Sequence, residues 1–226
     1  MTEHARSGLR PLFRRPLLGT PEARRRVLHG DWHPLLRDPI DLLRLHYLVA
    51  AAVFFALGRF HAALDLLFAA VAVLLVRAVD PPRRFDLAFI LAMAFVGWGD
   101  ALRLFERIGW YDNLVHVTLP LAVGPLAYVA LVRLEVVPPF ARENTRRHRV
   151  GMAIVAAALG VAGAAGYEIY EYAVDAFLGQ HLFISEADTA NDLFDGFVGA
   201  GAGGVLLALL ARTGMPVRRG TLARER

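Results

Sequence analysis

Residues 150–177 read VGMAIVAAALGVAGAAGYEIYEYAVDAF, and this stretch decides the class of fold. An α-helix rises about 1.5 Å per residue, so about 20 apolar residues cross the hydrocarbon core of a bilayer. The stretch is long enough and is apolar up to Glu168, which predicts a membrane-spanning helix. Glu168, Glu171 and Asp175 near its end are unusual in such a helix, because charge is costly in hydrocarbon. The stretch therefore predicts a membrane helix with a polar site toward one end.

Similar apolar stretches recur along the chain, which has 226 residues, is 56% hydrophobic and has a mean hydropathy of +0.43. Such a composition is typical of a multi-pass membrane protein. It predicts an all-α, polytopic bundle of six transmembrane helices in residues 42–213, with tails at residues 1–41 and 214–226. The six predicted spans cover approximately residues 42–57, 62–79, 87–104, 112–134, 150–177 and 192–211.

The basic residues predict the orientation of this bundle. The chain has no lysine, and its arginines are concentrated in the two tails and in the connections after the second and fourth predicted spans. By the positive-inside rule these regions are cytoplasmic, which places both termini in the cytoplasm. The pI near 9.9 does not indicate nucleic acid, because these arginines flank hydrophobic segments and suit anionic membrane lipids. The absence of cysteine excludes disulfides and thiolate metal ligands.

Acidic side chains on four predicted spans fall at one predicted depth, near the outer face. The third span carries Asp100, and the fourth begins at Asp112, with His116 one turn deeper on the same face. Intramembrane ionisable residues normally face the interior of a bundle and mark a site. The other carboxylates of this set are Glu168 and Glu171 in the fifth span, and Asp188, Asp192 and Asp195, which precede or open the sixth.

The last two predicted spans are rich in glycine, including Gly160 and Gly163 in one and Gly199 and Gly203 in the other. Small residues let helix backbones approach closely, so these two spans are predicted to pack against each other. Their contact would bring the glutamates of the fifth span close to the aspartates of the sixth.

Clustered carboxylates repel one another, so they need protons, arginine partners or a bound cation. Arg103 is the nearest arginine, and it alone cannot neutralise so many acids. Oxygen ligands with one imidazole suit magnesium, manganese, calcium, zinc or non-haem iron, and the sequence does not choose among these divalent metals. The candidate catalytic residues are His116, Glu168 and Glu171, with the imidazole or a glutamate as general base. The candidate metal ligands are Asp112, His116, Glu168, Glu171, Asp188, Asp192 and Asp195.

Several of these residues also have purely structural interpretations. Asp188 and Asp192 lie where acids stabilise the N-terminus of a helix, and Asp112 is a candidate N-cap. His116 can be a core histidine bonded to Asp112. The two glutamates of the fifth span fit such an interpretation least, because acids at the C-terminal end of a helix oppose its dipole.

Three motifs carry a resemblance to a known family: W-Y-D-x-x-x-H, E-x-x-E and D-T-x-x-D. They comprise Trp110-Tyr111-Asp112 with His116, then Glu168 with Glu171, then Asp188-Thr189 with Asp192, followed by Asp195-Gly196. In this order and spacing, residues 86–213 resemble the YjdF-type (DUF2238-like) bacterial inner-membrane proteins, although Ala190 stands where that family favours glutamine. The last two spans also resemble, more faintly, the VanZ-like proteins, which are linked to glycopeptide-antibiotic resistance. The resemblance implies a multi-pass protein of the bacterial inner (cytoplasmic) membrane with acidic motifs, and it implies no reaction.

Three functions fit these features. The first is a metal-dependent enzyme at the outer leaflet, acting on a lipid, a lipid-linked cell-envelope precursor or a small molecule through a metal that polarises an oxygen or activates water. The second is a structural or partner-binding membrane protein in which the acids form a network. The third is a cation- or proton-coupled transporter, although the chain shows no clear internal repeat and no continuous polar path. The placement of the acids near the lipid headgroups ranks the enzyme first.

Overall fold

The computed structural model describes residues 39–79, 81–134, 136–137, 145–178 and 185–212. Nearly all of the predicted N-terminal tail and the whole C-terminal tail lie outside these residues. The described part of the chain is helical and contains no strand, which confirms the all-α class. Its helices are α1 (Pro39–Ala56), α2 (Phe60–Val79), α3 (Arg83–Ala101), α4 (Leu104–Arg107), α5 (Tyr111–Arg133), α6 (Arg146–Leu178) and α7 (Glu186–Arg212).

Five of these helices, α1, α2, α5, α6 and α7, are long and apolar enough to cross a membrane. Helix α3, which covers most of the third predicted span, is not among them. It has the length of a span, but it carries Arg83, Arg84 and Asp86 in its first turn and Asp100 at its end. The described residues therefore confirm a multi-pass membrane protein with five apolar helices.

The helices form two groups of three that meet through α3 and α5. Helices α1, α2 and α3 pack together, and α5, α6 and α7 pack together. Gly58, in the turn after α1, has a left-handed conformation (φ 73°) that glycine adopts at little cost, so the chain reverses directly into α2. The end of the bundle where α6 ends and α5 and α7 begin carries the short helix α4 and is called the α4 end below.

A buried network of four charged side chains joins the first group at the end opposite α4. Asp41 and Arg44 of α1, Arg77 of α2 and Asp86 of α3 are each less than 5% exposed. Arg44 contacts Asp86, and its Nε lies 3.2 Å from Asp41 Oδ1. Arg77 Nε lies 3.3 Å from the same oxygen, and Arg44 donates to the carbonyl of Val73 at 2.5 Å. Two arginines and two aspartates balance in charge, which compensates for part of the cost of removing them from water.

Glycines hold the second group together. Gly199 and Gly203 of α7 lie so close to α5 that an added Cβ would come within 2.0 Å of the Val117 oxygen or 2.4 Å of the Leu121 oxygen. Gly204 makes a similar close approach to a backbone oxygen of α6. The predicted packing of the last two spans is confirmed. Gly199 and Gly203, however, pack α7 against α5 and not against α6.

Two prolines mark the face of α5 that receives these glycines. Pro125 has no N–H, so it leaves the Leu121 carbonyl without its helical donor, and Gly203 packs against that oxygen. Pro120 likewise leaves the carbonyl of His116 without its helical donor. Close Cα–H contacts to carbonyl oxygens are weakly favourable between helices. In the turns that follow His116, helix α5 thus presents backbone carbonyl oxygens to the glycines of α7.

Candidate metal centre

His116 lies at the centre of a ring of carboxylates at the α4 end. It sits one turn into α5 and is 3% exposed. Its Nε2 lies 3.4 Å from Asp112 Oδ1 of the same helix and 3.9 Å from Asp192 Oδ1 of α7. Its Nδ1 lies 3.3 Å from Glu168 Oε1 of α6. Acids from three helices therefore face both nitrogens of one buried imidazole.

These side chains form two groups that share only the histidine. The first group is Asp112, His116 and Asp192, and the second is His116, Glu168 and Glu171. In each group one ligand atom per residue can be chosen so that all lie within 4.8 Å of one another. Metal–ligand bonds to such atoms are about 2.0–2.2 Å long, so two ligands on opposite sides of one ion lie about 4 Å apart. Small side-chain adjustments would let a single ion contact all members of either group.

Two buried atoms of these groups have no hydrogen-bond partner among the described residues: His116 Nε2 and Glu168 Oε1. The contact of His116 Nε2 with Asp112 at 3.4 Å is longer than a charge-assisted hydrogen bond, which measures about 2.7–2.9 Å. A buried polar atom without a partner is costly, and each such atom calls for an explanation. Ligands held between the carboxylates and the imidazole would satisfy these atoms.

Neighbouring side chains orient the histidine and the glutamate. The side chain of Thr189 in α7 hydrogen-bonds Glu168, which ties α6 to α7 beside the site. The ring of Tyr167 packs edge-on against the imidazole of His116, with 5.5 Å between the ring centroids. The threonine of the D-T-x-x-D motif therefore contributes to the site although it is not an acid.

Two of the predicted ligands lie nearby and join neither group. The backbone N–H of Asp188 bonds the Ser185 hydroxyl at 3.1 Å, which is the N-capping arrangement that favours an acid in the first turn of α7. Asp195 accepts a hydrogen bond from Asn113 Nδ2 at 2.7 Å, which links α7 to α5. Five of the seven predicted ligands are thus brought together: Asp112, His116, Glu168, Glu171 and Asp192.

The arginines at the α4 end have partners outside these groups. Arg103 pairs with Glu106 through two hydrogen bonds of 2.8 and 2.5 Å, and both side chains are more than half exposed. The hydrogen bond from Arg103 lowers the pKa of Glu106. Arg59 donates to the Ala101 carbonyl at 2.6 Å and lies over the ring of Phe54. Neutralisation of the acidic site by Arg103, one of the outcomes left open by the sequence, therefore has no support in these contacts.

The acidic region extends further than the sequence suggested. Asp100, at the end of α3, interacts electrostatically with Asp112 and also with Asp65 of α2. Asp65 was not expected at the site, although an acid inside an otherwise apolar span is a signal that could have indicated it. Close by, the ring of Tyr170 in α6 stacks on Phe68 of α2, with 5.8 Å between their centroids.

The fold and this site define a multi-pass helical membrane protein with a buried His/carboxylate cluster. The family described as "Predicted membrane protein (DUF2238)" matches residues 42–213, well over half of the chain. The chain therefore belongs to this family, as the three motifs predicted. No curated protein and no solved structure matches the chain.

Proposed function

We propose that the protein is a divalent-metal-dependent enzyme of the bacterial inner membrane that acts at the outer leaflet on a lipid or lipid-linked cell-envelope substrate. The observation that carries the proposal is the burial of His116 between carboxylates of three helices, with its Nε2 lacking a hydrogen-bond partner among the described residues. The residues that would hold metal come from the two groups around His116, with Asp112 and Asp192 on one side of the ring and Glu168 and Glu171 on the other. Asp188 and Asp195 lie nearby and join neither group.

Each residue has a role in this proposal. The bound metal would polarise a phosphoryl or carbonyl oxygen of the substrate or lower the pKa of a bound water. Asp112 and Asp192 face His116 Nε2, while Glu168, held by Thr189, faces Nδ1 and orients the ring. Glu171 lies within reach of both the imidazole and Glu168 and is the candidate general base.

The proposal includes six membrane spans with both termini in the cytoplasm. Asp86 does not prevent α3 from crossing, because the buried network pairs it with Arg44. Arginines flank the end of the bundle opposite α4, which supports an outer location for the acidic site. A cluster within reach of the outer headgroups suits a membrane-lipid or lipid-linked substrate.

This topology can be tested by cysteine labelling, because the chain has no cysteine of its own. Cysteines are introduced singly at Gly58, Asn144 and Gly220, and intact cells are treated with a membrane-impermeant maleimide. We expect only Gly58→Cys to react until the cells are permeabilised. Labelling of Asn144→Cys and Gly220→Cys in intact cells would mean that α3 does not cross the membrane.

The metal is tested by elemental analysis and thermal unfolding of the full chain in detergent. After dialysis against Mg²⁺, Mn²⁺, Ca²⁺, Zn²⁺ or Fe²⁺, we expect at least one of these ions to remain bound and to raise the Tm. His116→Ala should lose this effect, whereas Asp195→Asn, whose carboxylate is held by Asn113, should keep it. Absence of binding by all five ions would refute the proposal.

Catalysis requires a separate test. The metal-loaded protein and the His116→Ala variant are incubated with total membrane lipid extract, and the products are compared by mass spectrometry. We expect lipid species that change only with the metal-loaded protein. If the metal binds but no species changes, the lipid-directed activity is wrong while the metal site stands.

A structural role is the second candidate, favoured by hydrogen bonds that tie helices together at the site. Asn113 bonds Asp195 and Thr189 bonds Glu168, so the polar residues also cross-link α5, α6 and α7. If that were their whole function, Glu171→Gln in metal-free protein would lower the Tm. An unchanged metal-free Tm together with a lost metal response would favour the metal centre.

A further inference from the structure

We infer that the centre has two cation positions, one on each side of the His116 ring. The inference rests on the proposed function, because it concerns the same residues. Asp112 and Asp192 face Nε2, whereas Glu168 faces Nδ1 and Glu171 joins it. The two nitrogens of an imidazole point in different directions in the ring plane, so one ion cannot bind both.

Each side has its own buried atom that calls for a ligand. On the first side it is His116 Nε2, in a side chain that is 2% exposed. On the second side it is Glu168 Oε1, in a side chain that is 10% exposed. Neither atom has a hydrogen-bond partner among the described residues. An ion on each side would satisfy the buried atom on that side.

Charge balance also favours two ions. The two groups together contain four carboxylates, and one divalent ion leaves two of them uncompensated. Two divalent ions would bind both nitrogens only if the ring gave up its N–H proton to solvent, which would give the carboxylates and the ring five negative charges together. The four positive charges of the ions would compensate four of these five. In a region of low dielectric constant, the state with less uncompensated charge is strongly favoured.

The position of Asp192 and Glu171 in different groups gives the inference a direct test. The full-length protein in detergent is equilibrated with Mn²⁺, separated from free ion, and analysed for manganese per chain. We expect two Mn²⁺ in the unchanged protein, one in Asp192→Asn, one in Glu171→Gln and two in the control Asp195→Asn. Circular dichroism and size-exclusion profiles show whether each variant remains folded.

Electron paramagnetic resonance supplies an independent measurement on the same samples. Two Mn²⁺ ions on one imidazole should broaden each other's signal, and either single variant should restore the sharp six-line spectrum of an isolated ion. One Mn²⁺ per chain in the unchanged protein would overturn the two positions and leave the proposed metal centre standing. If the protein binds neither Mn²⁺ nor any of the other four ions, both the two positions and the proposed metal centre are overturned. Two ions with an unbroadened spectrum would place the second ion elsewhere and also overturn the inference.

Discussion

The contact between α5 and α7 should control both stability and metal binding, and Gly199→Ala tests this. A Cβ at Gly199 would lie 2.0 Å from the Val117 oxygen, where ordinary contact requires about 3.5 Å. The two helices must therefore separate by about 1.5 Å at this point. Overpacking of this kind costs about 1–3 kcal/mol in free energy of unfolding.

The same displacement reaches the metal centre. Gly199 lies two helical turns from Asp192 on α7, and Val117 follows His116 directly on α5. A shift of about 1.5 Å between these helices moves Asp192 away from His116 Nε2, from which it is already 3.9 Å distant. Substitution of a residue that hydrogen-bonds a metal ligand weakens metal binding about 10- to 100-fold. Displacement of the ligand Asp192 itself should weaken binding by at least that range.

The chain offers a matched control for this prediction on the same helix. A Cβ at Gly201 meets nothing within 4 Å, so Gly201→Ala should be neutral or should stabilise α7 by up to about 1 kcal/mol. Unfolding in mixed micelles, followed by circular dichroism, gives the stability of both variants, and Mn²⁺ titration gives their affinity. If Gly199→Ala unfolds and binds Mn²⁺ like Gly201→Ala, the tight α5–α7 contact is wrong.

Three further predictions concern the ion network and the surroundings of the metal centre. Asp86→Asn should lower the free energy of unfolding by about 3–5 kcal/mol, because it leaves the charge of Arg44 incompletely balanced in a buried position. Chemical unfolding measures this loss, and the double variant Arg44→Met/Asp86→Leu, which removes both charges, should lose less stability than Asp86→Asn. Thr189→Val should weaken Mn²⁺ binding about 10-fold or more by freeing Glu168, with little change in metal-free Tm, and unchanged affinity in a titration would argue against an orienting role. Glu106→Gln should leave Mn²⁺ affinity unchanged, because its exposed pair with Arg103 lies outside the acidic groups; a large loss of affinity would mean that Arg103 does act on the site.

Most of the fold could be predicted from local composition. A span is helical because every backbone polar group must be bonded within the segment, and it is apolar over about 20 residues because its side chains cross hydrocarbon. Five of the six predicted spans appear as such apolar helices. Helix α3 is the exception, because the burial of Asp86 becomes possible only through Arg44 on another helix. The network of Asp41, Arg44, Arg77 and Asp86 could not be predicted, since Arg77 looks like any arginine at the end of a span.

The sequence by itself determined the family, the all-α membrane class and the residue types at the α4 end, because helical periodicity and span length place acids at comparable depths. Only the tertiary structure decided which of them meet. Depth says nothing about the direction in which a side chain points around its helix, so Asp188 and Asp195 could not be separated from Asp192. The glycines of α7 set that rotation by packing against α5, and with it the placement of carboxylates on both sides of His116.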